Sequence, residues 1–241
     1  MIFDADSAIS EYYARDDRLA IKRISGKHLD TNQCYINLSL VERSLGEDVS
    51  IPGPGPSCFT LFKSLQVGRA DKAKNVNLTR LFNDRESSDG TTIRPRRILI
   101  RGRAGVGKST LCKKIVHDFL QGQLWDGLFD RILWIPLRML KDDANVEDLL
   151  RQKYLEYAFP IHERKRLTSA LCDTAFEGTD QRTLLLLDGL DEISGSQTPR
   201  GSQLIEALGS LLNHRNAIVT SRPYAIDDTG LARFDLELET I

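Results

Sequence analysis

A glycine-rich octapeptide, GRAGVGKS at residues 102–109, has residue types and spacing that suit phosphate chemistry. It matches the full pattern GxxxxGK[ST], in which backbone N–H groups at the start of a helix surround the phosphates of a nucleotide. The glycines permit torsions and a close approach that a Cβ atom would block. Lys108 supplies positive charge to the β- and γ-phosphates, and the hydroxyl of Ser109 ligates Mg²⁺. The predicted nucleotide-binding residues are Gly102, Arg103, Ala104, Gly105, Val106, Gly107, Lys108, Ser109 and Thr110.

A cluster of carboxylates follows the most apolar run of the chain, LLLLDGLDE at residues 184–192. Asp188 comes directly after four leucines, so we expect it at the ligand edge of a buried strand, where it holds Mg²⁺ through water. Asp191 and Glu192 lie just beyond the strand, and one of them would orient or deprotonate an attacking water. Together with the glycine-rich loop, this cluster predicts a nucleoside triphosphate and Mg²⁺ as ligands.

Arg222 is the third candidate and belongs to the segment IVTSRP, residues 218–223. A guanidinium at the end of this apolar strand would contact the γ-phosphate and report whether it is present. An ordinary junction between a strand and a loop is the alternative interpretation of the segment.

The elements that must position these residues alternate between strands and helices from residue 96 onward. The pattern predicts an α/β fold, a three-layer P-loop NTPase with a mostly parallel five-stranded sheet. We expect the last strand at a sheet edge, because its apolar residues alternate with acidic ones. The predicted strands cover residues 96–102, 131–139, 183–189, 216–223 and 234–241, and the helices cover 109–120, 146–159 and 201–215.

Residues 1–93 form a smaller mixed N-terminal segment ahead of the nucleotide-binding domain, which covers residues 94–241. Within it, CYINLSLVE at 34–42 alternates like a half-buried strand, whereas IPGPGPS predicts a loop. The stretch 77–85 places Leu78, Leu81 and Phe82 at helical spacing, as in a short amphipathic helix. Leu81 and Phe82 either contact the base of the nucleotide or simply pack against the sheet.

Composition excludes several classes of protein. The chain has 241 residues with 33 basic and 34 acidic side chains, a net charge of -1, which argues against a nucleic-acid binder. Four scattered cysteines without a CxxC pair indicate reduced thiols. No apolar run approaches the ~20 residues that a membrane span requires. We therefore expect a cytoplasmic protein with no membrane partner.

Four segments, in the order GKST, WIPLR, LLLLDGLDE and TSRP, resemble the NACHT family of signal-transducing P-loop NTPases of the STAND class. The resemblance implies that the TSRP strand lies between the strands that carry the P-loop and the acidic cluster. It also implies a switch in which ADP holds a closed monomer. Exchange for ATP permits assembly with other chains into a wheel-like oligomer, and slow hydrolysis resets the switch.

This resemblance also gives each candidate residue a role. The matched positions are Lys108 and Ser109 for phosphate and metal, Asp188 for metal, Glu192 with Asp191 for catalysis, and Arg222 as the sensor. Residues 19–42 look like the segment before the nucleotide-binding domain in fungal NLR-like proteins. Family members continue into a winged helix and repeats, so we expect a nucleotide-binding core truncated before them. A small-molecule or nucleotide kinase and a catalytically inactive binding module remain alternative functions.

Overall fold

The structure, a computed structural model, describes most of the chain from residue 90 onward and parts of the segment before it. The described ranges are 2–15, 18–22, 28–29, 39–42, 75–86, 90–140, 145–156, 159–177, 182–194, 202–223 and 234–240. The predicted IPGPGPS loop and residues 34–38 of the predicted first strand lie outside them.

The described residues contain ten strands and six α-helices. The strands are β1 Ile21–Lys22, β2 His28–Leu29, β3 Leu40–Glu42, β4 Arg85–Glu86, β5 Thr92–Ile93, β6 Arg97–Arg101, β7 Arg131–Pro136, β8 Thr183–Asp188, β9 Ala217–Ser221 and β10 Leu236–Thr240. The helices are α1 Ile2–Ala14, α2 Lys108–Leu120, α3 Val146–Leu150, α4 Ile161–Cys172, α5 Asp191–Ser194 and α6 Ser202–Leu212. Five-residue π-helical segments follow α3 and α4, at Arg151–Leu155 and Asp173–Glu177.

A six-stranded sheet in the order β3-β10-β6-β9-β8-β7 forms the centre of the fold. Five of its strands are parallel, and β3 pairs antiparallel with β10. The predicted α/β fold with a mostly parallel sheet is therefore confirmed, and β9 lies between β6 and β8 as the family resemblance implies. Because ligands of such sheets bind beyond the carboxyl ends of the strands, this order brings the ends of β6, β9 and β8 to one site.

The prediction that the last strand lies at a sheet edge is wrong. Strand β10 pairs with β6 on one side and with β3 on the other, so the sheet gains a sixth strand from the upstream segment. Its alternation reflects the two faces of the sheet rather than an edge. Leu236 and Leu238 are buried, whereas Glu237 forms an ion pair with Arg101 at 3.1 Å.

The hydrophobic core lies on both faces of the central strands. All six residues of β8 are buried, as a continuous apolar run predicts for a parallel strand covered on both sides. Helix α2 packs its apolar face against the sheet and buries Leu111 and Ile115 completely. Among the described residues, no helix is long and apolar enough to cross a bilayer.

The segment that was predicted as a helix at 77–85 is a single 3₁₀ turn, Leu78–Arg80. Leu81 and Phe82 follow it and are both buried in the main core. The ring of Phe82 packs edge-on against those of Trp125 and Phe129, with centroids 4.9 and 5.0 Å away. Their burial supports packing against the sheet rather than contact with a nucleotide base.

Candidate functional site

The glycine-rich loop runs from the end of β6 to the start of α2. Gly102 donates from its backbone N–H to the carbonyl of Ser221 at 3.1 Å, which ties the start of the loop to the end of β9. A Cβ atom on Gly102 would lie 2.1 Å from Oγ1 of Thr240, so a larger residue would force that side chain to shift. Gly107 precedes α2 with a φ of 104°, a left-handed conformation that favours glycine. The loop therefore depends on its glycines in the way that the motif predicts.

Lys108 points back over this loop. Its Nζ donates to the carbonyls of Gly102 at 2.6 Å and Arg103 at 3.0 Å. Burial lowers the pKa of Lys108, the nearby Asp191 raises it, and Arg222 lowers it further. The backbone thus holds the ammonium group at the mouth of the loop, where the phosphates of a nucleotide would lie.

Asp188, the last residue of β8, is held by a neighbouring strand. The residue is only 6% exposed, and its Oδ1 accepts a hydrogen bond from Oγ1 of Thr220 on β9 at 2.7 Å. The same Thr220 oxygen accepts from the backbone N–H of Gly189 at 3.0 Å. Burial raises the pKa of the Cys112 thiol well above its usual range, and the adjacent Asp188 raises it further. Asp188 therefore lies between a fixed hydroxyl and a neutral thiol.

The role of Thr220 was missed by sequence reasoning, which placed it only at the end of an apolar strand. A threonine in a run such as IVTS carries no sign of a partner. Its contact with Asp188 depends on which strands are neighbours and in what register, with Leu187 opposite Val219. The one available signal was the strand order that the family resemblance implies, because it places the end of the TSRP strand next to the end of the strand that carries Asp188.

Arg222 and Asp191 form an ion pair at the entrance of the site. Nε of Arg222 lies 2.8 Å from Oδ2 of Asp191, and the backbone N–H of Arg222 donates to Oδ1 at 3.1 Å. The Arg222 side chain is 58% exposed, whereas that of Asp191 is 11% exposed. The sensor candidate is thus bound to one member of the acidic pair.

Glu192, the other member of the acidic pair, is exposed and folds over Gly189. A Cβ atom on Gly189 would lie 3.0 Å from Cδ of Glu192, and Gly189 has a φ of 85°. A glycine at this position therefore lets the Glu192 side chain pack close to the strand end.

A cleft of about 330 Å³ brings most of the predicted residues together. Its lining residues are Ala104, Gly105, Gly107, Lys108, Ser109, Thr110, Asp188, Gly189, Asp191, Glu192 and Arg222. The other predicted loop residues, Gly102, Arg103 and Val106, form the loop but are not part of this lining. The three motifs thus converge on one opening at the carboxyl ends of the parallel strands.

The donor atoms in this cleft suit Mg²⁺. The hydroxyl of Ser109 and the carboxylate of Asp188 are hard oxygen ligands that line the same opening. Among the described residues, no group of three histidine, cysteine or acidic side chains forms a metal site of protein ligands alone. Such a sparse set fits Mg²⁺, which is usually held by one or two carboxylates together with substrate phosphates and water.

Comparison with known proteins places the chain in a family. A model of the NACHT domain family matches residues 96–239. Among similar proteins is the human NACHT, LRR and PYD domains-containing protein 12, which is 28% identical over 55% of this chain and 13% of its own length. The mouse NACHT, LRR and PYD domains-containing protein 3 is 26% identical over 90% of this chain and 20% of its own length.

A third relative, the human NACHT, LRR and PYD domains-containing protein 10, is 28% identical over 64% of this chain. The chain spans less than a quarter of the length of each of these relatives. The region matched by the family model contains the parallel strands from β6 onward, except the last residue of β10, together with the cleft. With the family model covering more than half of its residues, the chain belongs to the NACHT domain family of nucleotide-binding P-loop proteins.

Proposed function

We propose that this chain binds ATP and ADP together with Mg²⁺ and acts as a nucleotide-controlled switch in signal transduction. The observation that carries the proposal is the convergence of Lys108, Asp188 and Arg222 on one cleft at the carboxyl edge of the sheet. A phosphate-binding loop, a metal-side carboxylate and a guanidinium are the parts that a site needs to distinguish a triphosphate from a diphosphate.

Each side chain has a defined task in this proposal. The N–H groups at the start of α2 and the ammonium of Lys108 bind the phosphates. Ser109 and Asp188 hold Mg²⁺, which neutralises charge on the β- and γ-phosphates when it is bound. Glu192, which is exposed at the cleft, orients or deprotonates a water for slow hydrolysis. The residual ATPase activity then serves to reset the switch.

The ion pair between Arg222 and Asp191 supplies the element that responds to the nucleotide. A γ-phosphate competes with Asp191 for the guanidinium, because charge-assisted hydrogen bonds to phosphate are strong and frequently bidentate. When Arg222 turns to the phosphate, Asp191 loses its partner at the start of α5. The presence of ATP is thereby converted into a change in the contacts of that helix.

The central experiment measures the affinities of ATP and ADP in the full chain and in the Lys108→Ala variant. Loss of the ammonium should weaken both by roughly tenfold or more, given about 1.5–3 kcal/mol for a hydrogen bond to a charged group. Lys165→Ala, at an exposed position on α4, is the matched control and should bind like the parent protein. Equal affinities in the parent and Lys108→Ala would refute the proposal.

We further propose that ATP permits assembly of several chains in the cytoplasm, as the family resemblance implies. Light scattering in the presence of ATP or ADP tests this directly, because only the triphosphate should increase the mass of the particle. An unchanged mass in both nucleotides contradicts nucleotide-controlled assembly but leaves nucleotide binding intact. The resemblance of residues 19–42 to fungal NLR-like proteins stays a prediction, because the relatives named above are from human and mouse.

A binding module without turnover is the second candidate function, and the pairing of Asp191 with Arg222 favours it. This ion pair occupies one of the two carboxylates that would act on water. If ATP hydrolysis by the parent equals that of Glu192→Gln while nucleotide affinity is retained, the module binds nucleotide without catalysis.

A further inference from the structure

A second opening, of about 440 Å³, lies at the amino ends of the parallel strands. Its lining includes Arg96, directly before β6, Arg182, directly before β8, and Asn216, directly before β9. The nucleotide cleft lies at the carboxyl ends of the same strands, so the two openings are at opposite ends of the sheet. The volume is in the range of pockets that bind small molecules, roughly 300–1,000 Å³.

Three arginines, Arg94, Arg96 and Arg182, line this pocket, and its described lining contains no acidic residue. Arg94 pairs with Asp84 at 2.6 Å and Arg182 pairs with Asp130 at 2.8 Å, outside the lining. All four of these side chains are at least two-fifths exposed. Ion pairs that are this exposed contribute little, so an incoming anion can replace them at small cost.

Of the three arginines, Arg96 has the positive charge that is least compensated by a carboxylate. Its Nη1 donates to Oδ1 of Asn216 at 3.3 Å, a neutral acceptor. Burial lowers the pKa of Arg96, and the like charges of Arg215 and Arg94 lower it further, whereas Asp235 raises it. The carboxylate of Asp235 itself accepts from the backbone N–H of Arg96 at 2.8 Å. Among the described residues, the guanidinium of Arg96 is thus bound to a neutral group, while the nearby carboxylate of Asp235 binds its backbone.

We propose that this pocket binds a compact ligand that carries two or more phosphate groups, and that it is a separate site from the nucleotide cleft. Guanidinium groups bind phosphate through paired N–H donors, and three of them around one opening match several phosphates better than a single one. The half-buried Leu128 adds an apolar side to the lining, against which the carbon frame of the ligand can pack. The ligand therefore combines a small carbon skeleton with clustered negative charge.

Isothermal titration calorimetry with inositol hexakisphosphate tests the proposal on the full chain. The double variant Arg96→Gln/Arg182→Gln should bind this probe roughly tenfold more weakly or worse, since hydrogen bonds to charged groups are lost. The matched control Arg166→Gln, at an exposed position on α4, should retain the parent affinity. Both variants should bind ADP as the parent does, which shows that the fold and the nucleotide cleft are intact.

Two results of the titrations with inositol hexakisphosphate would overturn the proposal. One is equal affinity for the hexakisphosphate in the parent and in the arginine variant. The other is loss of its binding in Lys108→Ala but not in the arginine variant, which would place the probe in the nucleotide cleft. If the double variant does not fold, Arg182→Gln alone replaces it, because that side chain is 43% exposed.

A second experiment, with lipid vesicles, identifies the source of the phosphates. Vesicles of phosphatidylcholine with phosphatidylinositol bisphosphate are sedimented with the parent and with the arginine variant. Sedimentation that requires the arginines supports the proposed site and assigns its phosphates to a lipid headgroup. Binding of the free probe without sedimentation also supports the site and assigns a soluble ligand. Failure to bind either probe refutes the proposal.

Discussion

The hydroxyl of Thr220 donates a hydrogen bond to Oδ1 of Asp188 at 2.7 Å and joins the ends of two adjacent parallel strands. Thr220 is completely buried, and its oxygen also accepts from the N–H of Gly189. One hydroxyl therefore orients the carboxylate that we assign to Mg²⁺ and holds the turn that follows it. Thr220, which fixes this carboxylate, is not among the residues that line the cleft.

Replacement of Thr220 by valine should weaken the dependence of nucleotide binding on Mg²⁺. Valine keeps the shape of the side chain but leaves the N–H of Gly189 without its acceptor, which costs about 1–3 kcal/mol of unfolding free energy. Denaturant unfolding measures that loss, and ADP affinity with and without Mg²⁺ measures the effect on the site. Thr220→Ser keeps the hydroxyl and should restore the response to Mg²⁺. If valine and serine behave alike, the hydrogen bond does not position Asp188.

The buried Lys153 should make stability rise with pH. Burial lowers its pKa from 10.5 to about 7, and among the surrounding charges Arg18 and Arg138 lower it while Asp188 raises it. Its Nζ donates to the carbonyl of Trp134, and the ammonium lies 5.0 Å from the Trp134 ring. Because the pKa in the folded chain is below that of the unfolded chain, the unfolded chain binds more protons between the two values. The unfolding free energy therefore increases with pH above about 7.

Comparison with Lys153→Met isolates this contribution. The unfolding free energies of the parent and the variant are measured from pH 6 to 9. Above about pH 7 the difference between them should grow in favour of the parent, by at most about 1.4 kcal/mol per pH unit. Lys165→Met, at an exposed position on α4, should follow the parent at every pH. A constant difference between the parent and Lys153→Met would show that Lys153 titrates at the same pH in both states.

The fold and the nucleotide cleft were predictable where the apolar pattern of a strand also fixes which residue lies at its carboxyl end. The apolar run before Asp188 specifies a buried parallel strand, and the ends of such strands meet at one edge, so its carboxylate had to lie near the glycine-rich loop. The same reasoning placed Arg222 at that edge. In these cases the order of residues along one strand was sufficient.

Contacts that depend on pairing between distant strands were not predictable. Nothing in Leu236–Thr240 shows that β3 will cover its outer side, because alternation is the same for an edge strand and an inner one. The pocket lined by Arg94, Arg96 and Arg182 also depends on the order of distant strands. Arg96 and Arg182 are 86 positions apart in sequence. They line the same pocket because they directly precede β6 and β8, and only β9 lies between these two strands.

Arg222 should control the preference for ATP over ADP. In Arg222→Gln the guanidinium is lost, so ATP affinity should fall roughly tenfold or more while ADP affinity changes little. Asp191→Asn removes the charge that competes for Arg222 and should shift the ratio of affinities in the opposite direction, toward ATP. Titrations with both nucleotides give the ratio for each variant. A ratio that is the same in all three proteins would exclude a sensor role for Arg222.

Tyr13 should prevent the outer strand of the sheet from pairing with other chains. Strand β7 lies at the end of the sheet, and the Tyr13 hydroxyl donates to the carbonyl of Ile132 at 3.1 Å and accepts from the N–H of Trp134 at 2.9 Å. Helix α1 thus supplies partners to backbone groups that an exposed edge would offer to another strand.

Tyr13→Phe removes the hydroxyl and leaves both of these groups of β7 without it, which should cost about 1–3 kcal/mol of unfolding free energy. Hydrogen exchange should accelerate at the Trp134 amide and stay unchanged at Leu99, which lies on the central strand β6 and is completely buried. Light scattering should also show concentration-dependent self-association, because the N–H of Trp134 becomes available to a strand of another molecule. If the Trp134 amide exchanges as slowly in the variant as in the parent, packing of α1 alone protects the edge, and the hydroxyl contributes no specific cover.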